Sequence, residues 1–140
     1  MNFDQPERAL LAGLADVLIP AGDGMPSASR AAAAGKWLDA VLTARPDLAD
    51  GLKNVLAKAR DHDPADIVSE LCANDPAAFE LLAEVVSGAY FMNPDVQRAL
   101  GYAGQSPQPI DPRVDYMEDG LLESVIRRGP IFRPTPQSAD

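Results

Sequence analysis

Few side chains in this 140-residue chain have the type and spacing to do chemistry. The one histidine, His62, lies between Asp61 and Asp63, and a carboxylate beside an imidazole is one way to make a general base. The triplet sits in a charged break just before Pro64, so the spacing predicts a solvated loop residue. The one cysteine, Cys72, would need an accessible, electropositive setting to act as a nucleophile. It falls beside Ile67, Val68 and Leu71 on an apolar helical face, and the expectation is a small buried hydrophobe. Glu80 and Glu84 stand four residues apart, a spacing that lets a helix present two carboxylates to iron, but no Glu-x-x-His pattern accompanies them. They read as a wet acidic face. Gly22-Asp23-Gly24 follows no strand and precedes no suitably spaced lysine, so it reads as a turn and not a phosphate loop. The expectation is no catalytic residue, no metal ligand and no cofactor site on this chain.

The elements that position these residues are helical throughout. Asp4 and Glu7 resemble a capping box, with Pro6 in the first turn. Leu10, Leu11, Leu14, Val17 and Leu18 recur at helical spacing up to the stop imposed by Pro20. Ala21 to Pro26 is a loop. Ser27 or Ser29 can cap a second helix that runs to about Thr43 and carries Trp37, Leu38, Val41 and Leu42; its alanines 31 to 34 and Gly35 suggest close approach to a neighbour. Pro46 opens a third helix with Leu48, Leu52, Val55, Leu56 and Ala59. A fourth runs from Pro64 to Asn74, and Asp75-Pro76 starts a fifth through Phe79, Leu82, Val85, Val86 and Ala89 to about Phe91. No segment alternates convincingly, so the fold expected is all-α, a compact bundle of five to six helices.

Asn93-Pro94 begins a further short helix, because Asn caps well and Pro at the first position has no amide to leave unpaired. Gly101 ends it. Tyr90, Phe91 and Tyr102 flank this corner. Two adjacent aromatics point about 100° apart on a helix and cannot both enter one narrow core, so one of Tyr90 and Phe91 is expected at an interface. After Gln105 the chain changes character: six of its 13 prolines fall from Pro107 onward. Residues 106–140 read as an extended proline-rich tail on a body of residues 1–105, with one helical island from about Met117 to Arg128. Its stripe of Leu121, Leu122, Val125 and Ile126 needs a partner or the body, since so short a helix is marginal alone.

A net charge of −9 and a pI near 4.4 disfavour nucleic acid and anionic membranes as partners. One cysteine leaves the redox compartment open. As written, the start of the chain carries no export signal and no apolar run is long enough to span a bilayer, so the expectation is a cytoplasmic protein, periplasmic only if co-exported with a signal-bearing partner.

The stretch from Leu14 through Ala15-Asp16-Val17-Leu18-Ile19-Pro20 to Ser27 and Ala28, followed by Trp37-Leu38-Asp39, resembles the gluconate 2-dehydrogenase subunit 3 family. A second block, Tyr90-Phe91, Asn93-Pro94 and Ala99-Leu100-Gly101-Tyr102 with Gly104, is similar to that family's aromatic, asparagine-proline and glycine-tyrosine turn. The two blocks bracket residues 5 to 105. The twin-arginine export signal of many members is lacking. The resemblance implies a non-catalytic small subunit of a bacterial flavin-dependent dehydrogenase of the glucose-methanol-choline type, acting on sugars, sugar acids, polyols or glycosides. FAD would sit on the large partner subunit, in some such complexes with a cytochrome c electron acceptor, and the small subunit would support folding, stability or export. The candidate partner-binding residues are Trp37, Tyr90, Phe91, Tyr102, Leu121, Leu122, Val125 and Ile126. A stand-alone helical adaptor and a small helical enzyme are the alternatives.

Overall fold

The computed structural model describes residues 2–102, 104, 105, 120 and 122–131. The chain divides into two units, Met1–Gln105 and Ser106–Asp140. Among the described residues the first unit contains α1 (Gln5–Leu18), α2 (Lys36–Ala44), α3 (Leu48–Ala59), α4 (Pro64–Asn74), α5 (Pro76–Phe91) and α6 (Pro94–Ala99), and the second contains α7 (Glu123–Arg128). The architecture is all-α, as the helical periodicity predicts. No helix among the described residues is long and apolar enough to cross a membrane.

Capping explains most of the helix starts. At α1 the Asp4 carboxylate accepts the Glu7 amide at 2.8 Å and the Glu7 carboxylate accepts the Asp4 amide at 2.9 Å, a reciprocal capping box. Asp63 accepts from the Ala65 and Asp66 amides ahead of α4. Asp75 accepts from Ala78 at the head of α5 and also binds Lys58 Nζ at 2.6 Å. The Lys58 contact, with the Ala78 amide, holds the Asp75 carboxyl below its ordinary range. α3 starts differently: Arg45 grips the Asp47 carboxylate and reaches Glu84 on α5 at 2.6 Å, so Asp47 makes no cap bond.

Helix α5 is the post of the body. It packs against α1, α2, α3, α4 and α6 and buries Leu82, Val85, Val86, Ala89 and Tyr90. Around it Leu11, Leu14, Leu38, Leu52 and Leu56 complete a core with Ile67 and Leu71. Gly51 permits the close approach of α3, because a methyl group there would overlap the Leu81 side chain of α5.

Several expectations need correction. The second helix does not start at Ser27 or Ser29: residues 28–35 form turns and α2 begins at Lys36. A single helical turn closes with the Ala32 amide donating to Ser29 O and the Ala33 amide to Ala28 O, both at 3.0 Å, while Ala32 takes φ 57°. That bond pair is a Schellman stop with alanine in the left-handed position usually given to glycine. The crowding at Gly35 also comes from within this segment, from Ala32, and not from a neighbouring element. Cys72 is exposed and not buried, although Val68 and Leu71 beside it on α4 are buried. Val17 is exposed too, in the last turn of α1, where Leu18 is only partly buried. In the tail the described helix covers Glu123–Arg128, with residues 120 and 122 in turns; residues 117–119 and Leu121 of the expected island lie outside the described residues.

Candidate functional site

The end of α5, the turn after it and α6 form one corner. Tyr90 is 3% exposed and donates its hydroxyl to the Pro26 carbonyl at 2.8 Å. Burial pushes its phenol above the ordinary tyrosine range. The next residue, Phe91, is 50% exposed and packs edge to face on the Tyr90 ring, 5.3 Å between centroids and 81° between planes. One ring therefore enters the core and the other faces solvent. Tyr90 is buried against its own chain's 26–35 segment, a neighbour that the sequence reading does not supply.

Asn93 works in two directions. Its Oδ1 accepts the Asp95 amide at 2.9 Å, capping α6, and its Nδ2 donates to the Ala31 carbonyl at 3.0 Å. At the other end of α6 the Gly101 amide donates to Arg98 O at 3.0 Å and the Tyr102 amide to Gln97 O at 2.8 Å, with Gly101 at φ 75°. This is a second Schellman stop, here with the expected glycine. Gln97 Nε2 returns to the Phe91 carbonyl at 2.7 Å, closing the corner on itself. Val96 is fully buried beneath it. Outside it the corner exposes Phe91, Met92 at 40%, Leu100 at 55% and Tyr102 at 54%, beside the exposed Asp95–Arg98 ion pair of α6.

The 26–35 segment is held from three further points. Asp16 accepts the Ser29 amide at 2.7 Å and the Ser29 hydroxyl at 2.6 Å. Burial works against ionisation of Asp16, but these bonds and one from Ser27 outweigh it and hold the carboxyl below its ordinary value. The Arg8 guanidinium donates to the Ala34 and Gly35 carbonyls, each at 3.1 Å, and to Asp39 at 2.6 Å. The Ala28 amide donates to Ile19 O at 3.0 Å. Arg8 is a positioning residue with no local signal in the sequence, since its acceptors lie 26 and 27 residues away.

Trp37 is partly buried and packs on the core. Its indole Nε1 is buried without an acceptor among the described residues, and Lys36 Nζ stands 4.6 Å from the ring centroid. In the second unit Leu122, Val125, Ile126 and Ile131 are exposed, with Glu123 and Arg127 paired at 2.6 Å along α7. Leu121 lies outside the described residues. His62 is exposed, as are Glu80 and Glu84, the latter paired with Arg45. No group of three or more His, Cys, Asp or Glu placed to hold a metal occurs among the described residues. A groove of about 710 Å³ between the start of α1 and α3 is lined by Asp4, Glu7, Lys53 and Arg60. Its charges are mixed, with Lys53 3.7 Å from Glu7.

Fold and site thus define an all-α body with a capped corner at Tyr90 to Tyr102 that exposes several large apolar side chains. No protein-family model, no curated protein and no solved structure matches this chain.

Proposed function

We propose that this chain is a non-catalytic small subunit of a heteromeric FAD-dependent dehydrogenase of the glucose-methanol-choline type, supporting the folding, stability or export of the large flavin subunit. The observation that carries the reading is the corner: Phe91, Met92, Leu100 and Tyr102 are exposed on a turn fixed at both ends by caps and at its centre by Asn93. An apolar patch on a rigid support suits protein docking, because the aromatic anchors lose few rotamers on burial and the backbone needs no reordering. The exposed Leu122, Val125 and Ile126 of α7 offer a second adhesive stripe. The partner's identity rests on the resemblance to the gluconate 2-dehydrogenase subunit 3 family, one of whose two sequence blocks includes Pro26 and the other Tyr90, the residues joined through the Tyr90 hydroxyl. The complex would act on a sugar, sugar acid, polyol or glycoside, with the flavin, and any cytochrome c acceptor, on other chains.

A tagged chain expressed in its own host tests this. Recovery of a stoichiometric larger protein carrying flavin is expected. A chain that purifies alone, or with a partner lacking flavin, would overturn the assignment.

A further inference from the structure

We infer that residues 26–35 form a two-state latch, with Asn93 as its catch. In the state described, Pro26 to Gly35 makes one helical turn, stops at Ala32 and restarts as α2. In the other, residues 28–35 join α2 as one continuous helix. Apart from Gly35, no residue from 30 to 35 favours a stop by propensity. Residues 31–34 are four alanines, the best helix formers, and Ala32 must enter the left-handed region, where its Cβ crowds the backbone. Gly35 is the single poor helix former in the run.

The kinked state persists because distant groups hold the segment where it lies. Asn93 binds the Ala31 carbonyl, which in a continuous helix would accept the Gly35 amide; Arg8 binds the carbonyls of Ala34 and Gly35, the latter already accepting the Asp39 amide, and Asp16 binds the Ser29 amide, so that both fix the segment in place. Ala28, Ala31, Ala33 and Ala34 are buried in this state, which adds packing to the same side of the balance. Local preference and tertiary contacts therefore oppose each other over one short segment, the condition for a bistable element.

Asn93 is the catch because it serves both sides. The amide that holds Ala31 belongs to the residue that caps α6, so the conformation of 26–35 is coupled to the corner carrying Phe91 and Tyr102. Releasing Ala31 frees Asn93 to turn, whereas loss of Arg8 or Asp16 does not touch α6. This inference concerns the isolated chain and stands whether or not the proposed partner is right.

The test follows backbone chemical shifts and relaxation dispersion of the full chain. In Asn93→Ala, the Ala32 shifts lose their left-handed signature and residues 28–35 gain helical shifts, while α1, α3 and α4 keep theirs. Random-coil shifts over 28–35, or shifts unchanged from the parent, would overturn the latch. Ala32→Gly serves as the second variant and needs no lost contact: glycine favours the kink and disfavours the continuous helix. The population of the minor state read by relaxation dispersion at residues 28–35 should fall about fivefold or more in this variant. No dispersion over 28–35 in the parent, or dispersion unchanged in Ala32→Gly, would contradict the two-state latch even if Asn93→Ala fails to fold.

Discussion

Asn93 donates from Nδ2 to the carbonyl of Ala31 across 62 residues of sequence, at 3.0 Å, while its Oδ1 caps the helix that follows. One side chain thereby ends the preference of an alanine run for helix and starts α6. The first prediction comes from the acceptor's neighbour. Ala32 in the left-handed region is strained relative to glycine, so Ala32→Gly should stabilise the body by about 1 kcal/mol, raising Tm by roughly 4 °C or more. Gly101→Ala, at the equivalent position of the second Schellman stop, should cost about as much. Thermal unfolding of both variants checks the pair, and effects of the same sign would refute the shared-motif explanation.

Tyr90 should titrate late and matter most below its own titration. Its folded pKa is raised by burial, so its contribution is complete below the ordinary tyrosine value near 10 and is lost as pH climbs through the folded value. Tyr90→Phe, which removes the bond to Pro26, should lower stability by about 1 kcal/mol at neutral pH. The gap between parent and variant should narrow above about pH 10. Denaturant titrations at several pH values measure it; a gap that widens with alkali would be the wrong sign.

Asp16 makes the opposite prediction at the acid end. Its folded pKa is lowered, so the stability it lends is present above the ordinary carboxylate value near 4 and is lost as pH falls through the folded value. Asp16→Asn should flatten the fall in stability below about pH 4. If parent and variant lose stability in parallel from neutral pH down to pH 3, the Asp16–Ser29 bonds are not the cause.

How legible these features are in sequence follows from the range of the forces behind them. Caps at Asp4, Asp63, Asp75 and Asn93 and the glycine stop at 101 are local, each decided within a few residues, and the predicted helix ends there hold. The stop at Ala32 is accompanied by contacts from Asn93 and Arg8, far away in the chain, and the alanine run gives no hint of it beyond Gly35. The Tyr90–Phe91 pair lies between these cases: helical geometry requires one ring to face out, but only the Pro26 carbonyl selects which. Cys72 and Val17 fail in the last turns of α4 and α1, where the apolar periodicity continues but the packing around the helix does not.

The tail should contribute to assembly and not to the body's fold. Deleting residues 106–140 removes the exposed Leu122, Val125 and Ile126 stripe, so recovery of the partner in pull-downs should drop at least tenfold, about 1.4 kcal/mol of association. Undiminished recovery would exclude the tail from the interface.

The proposed subunit role is tested most directly by placing Phe91→Ala and Tyr102→Ala, singly and together, in a tagged chain expressed in its own host, and measuring both the subunit's Tm and the flavin protein recovered with it. Both side chains are half exposed, so Tm should move by no more than a few degrees, while association weakens by about 2 kcal/mol or more where either is an anchor. Full recovery of the flavin partner by the double variant, or a subunit that melts early yet binds normally, would show that the corner is not the docking surface.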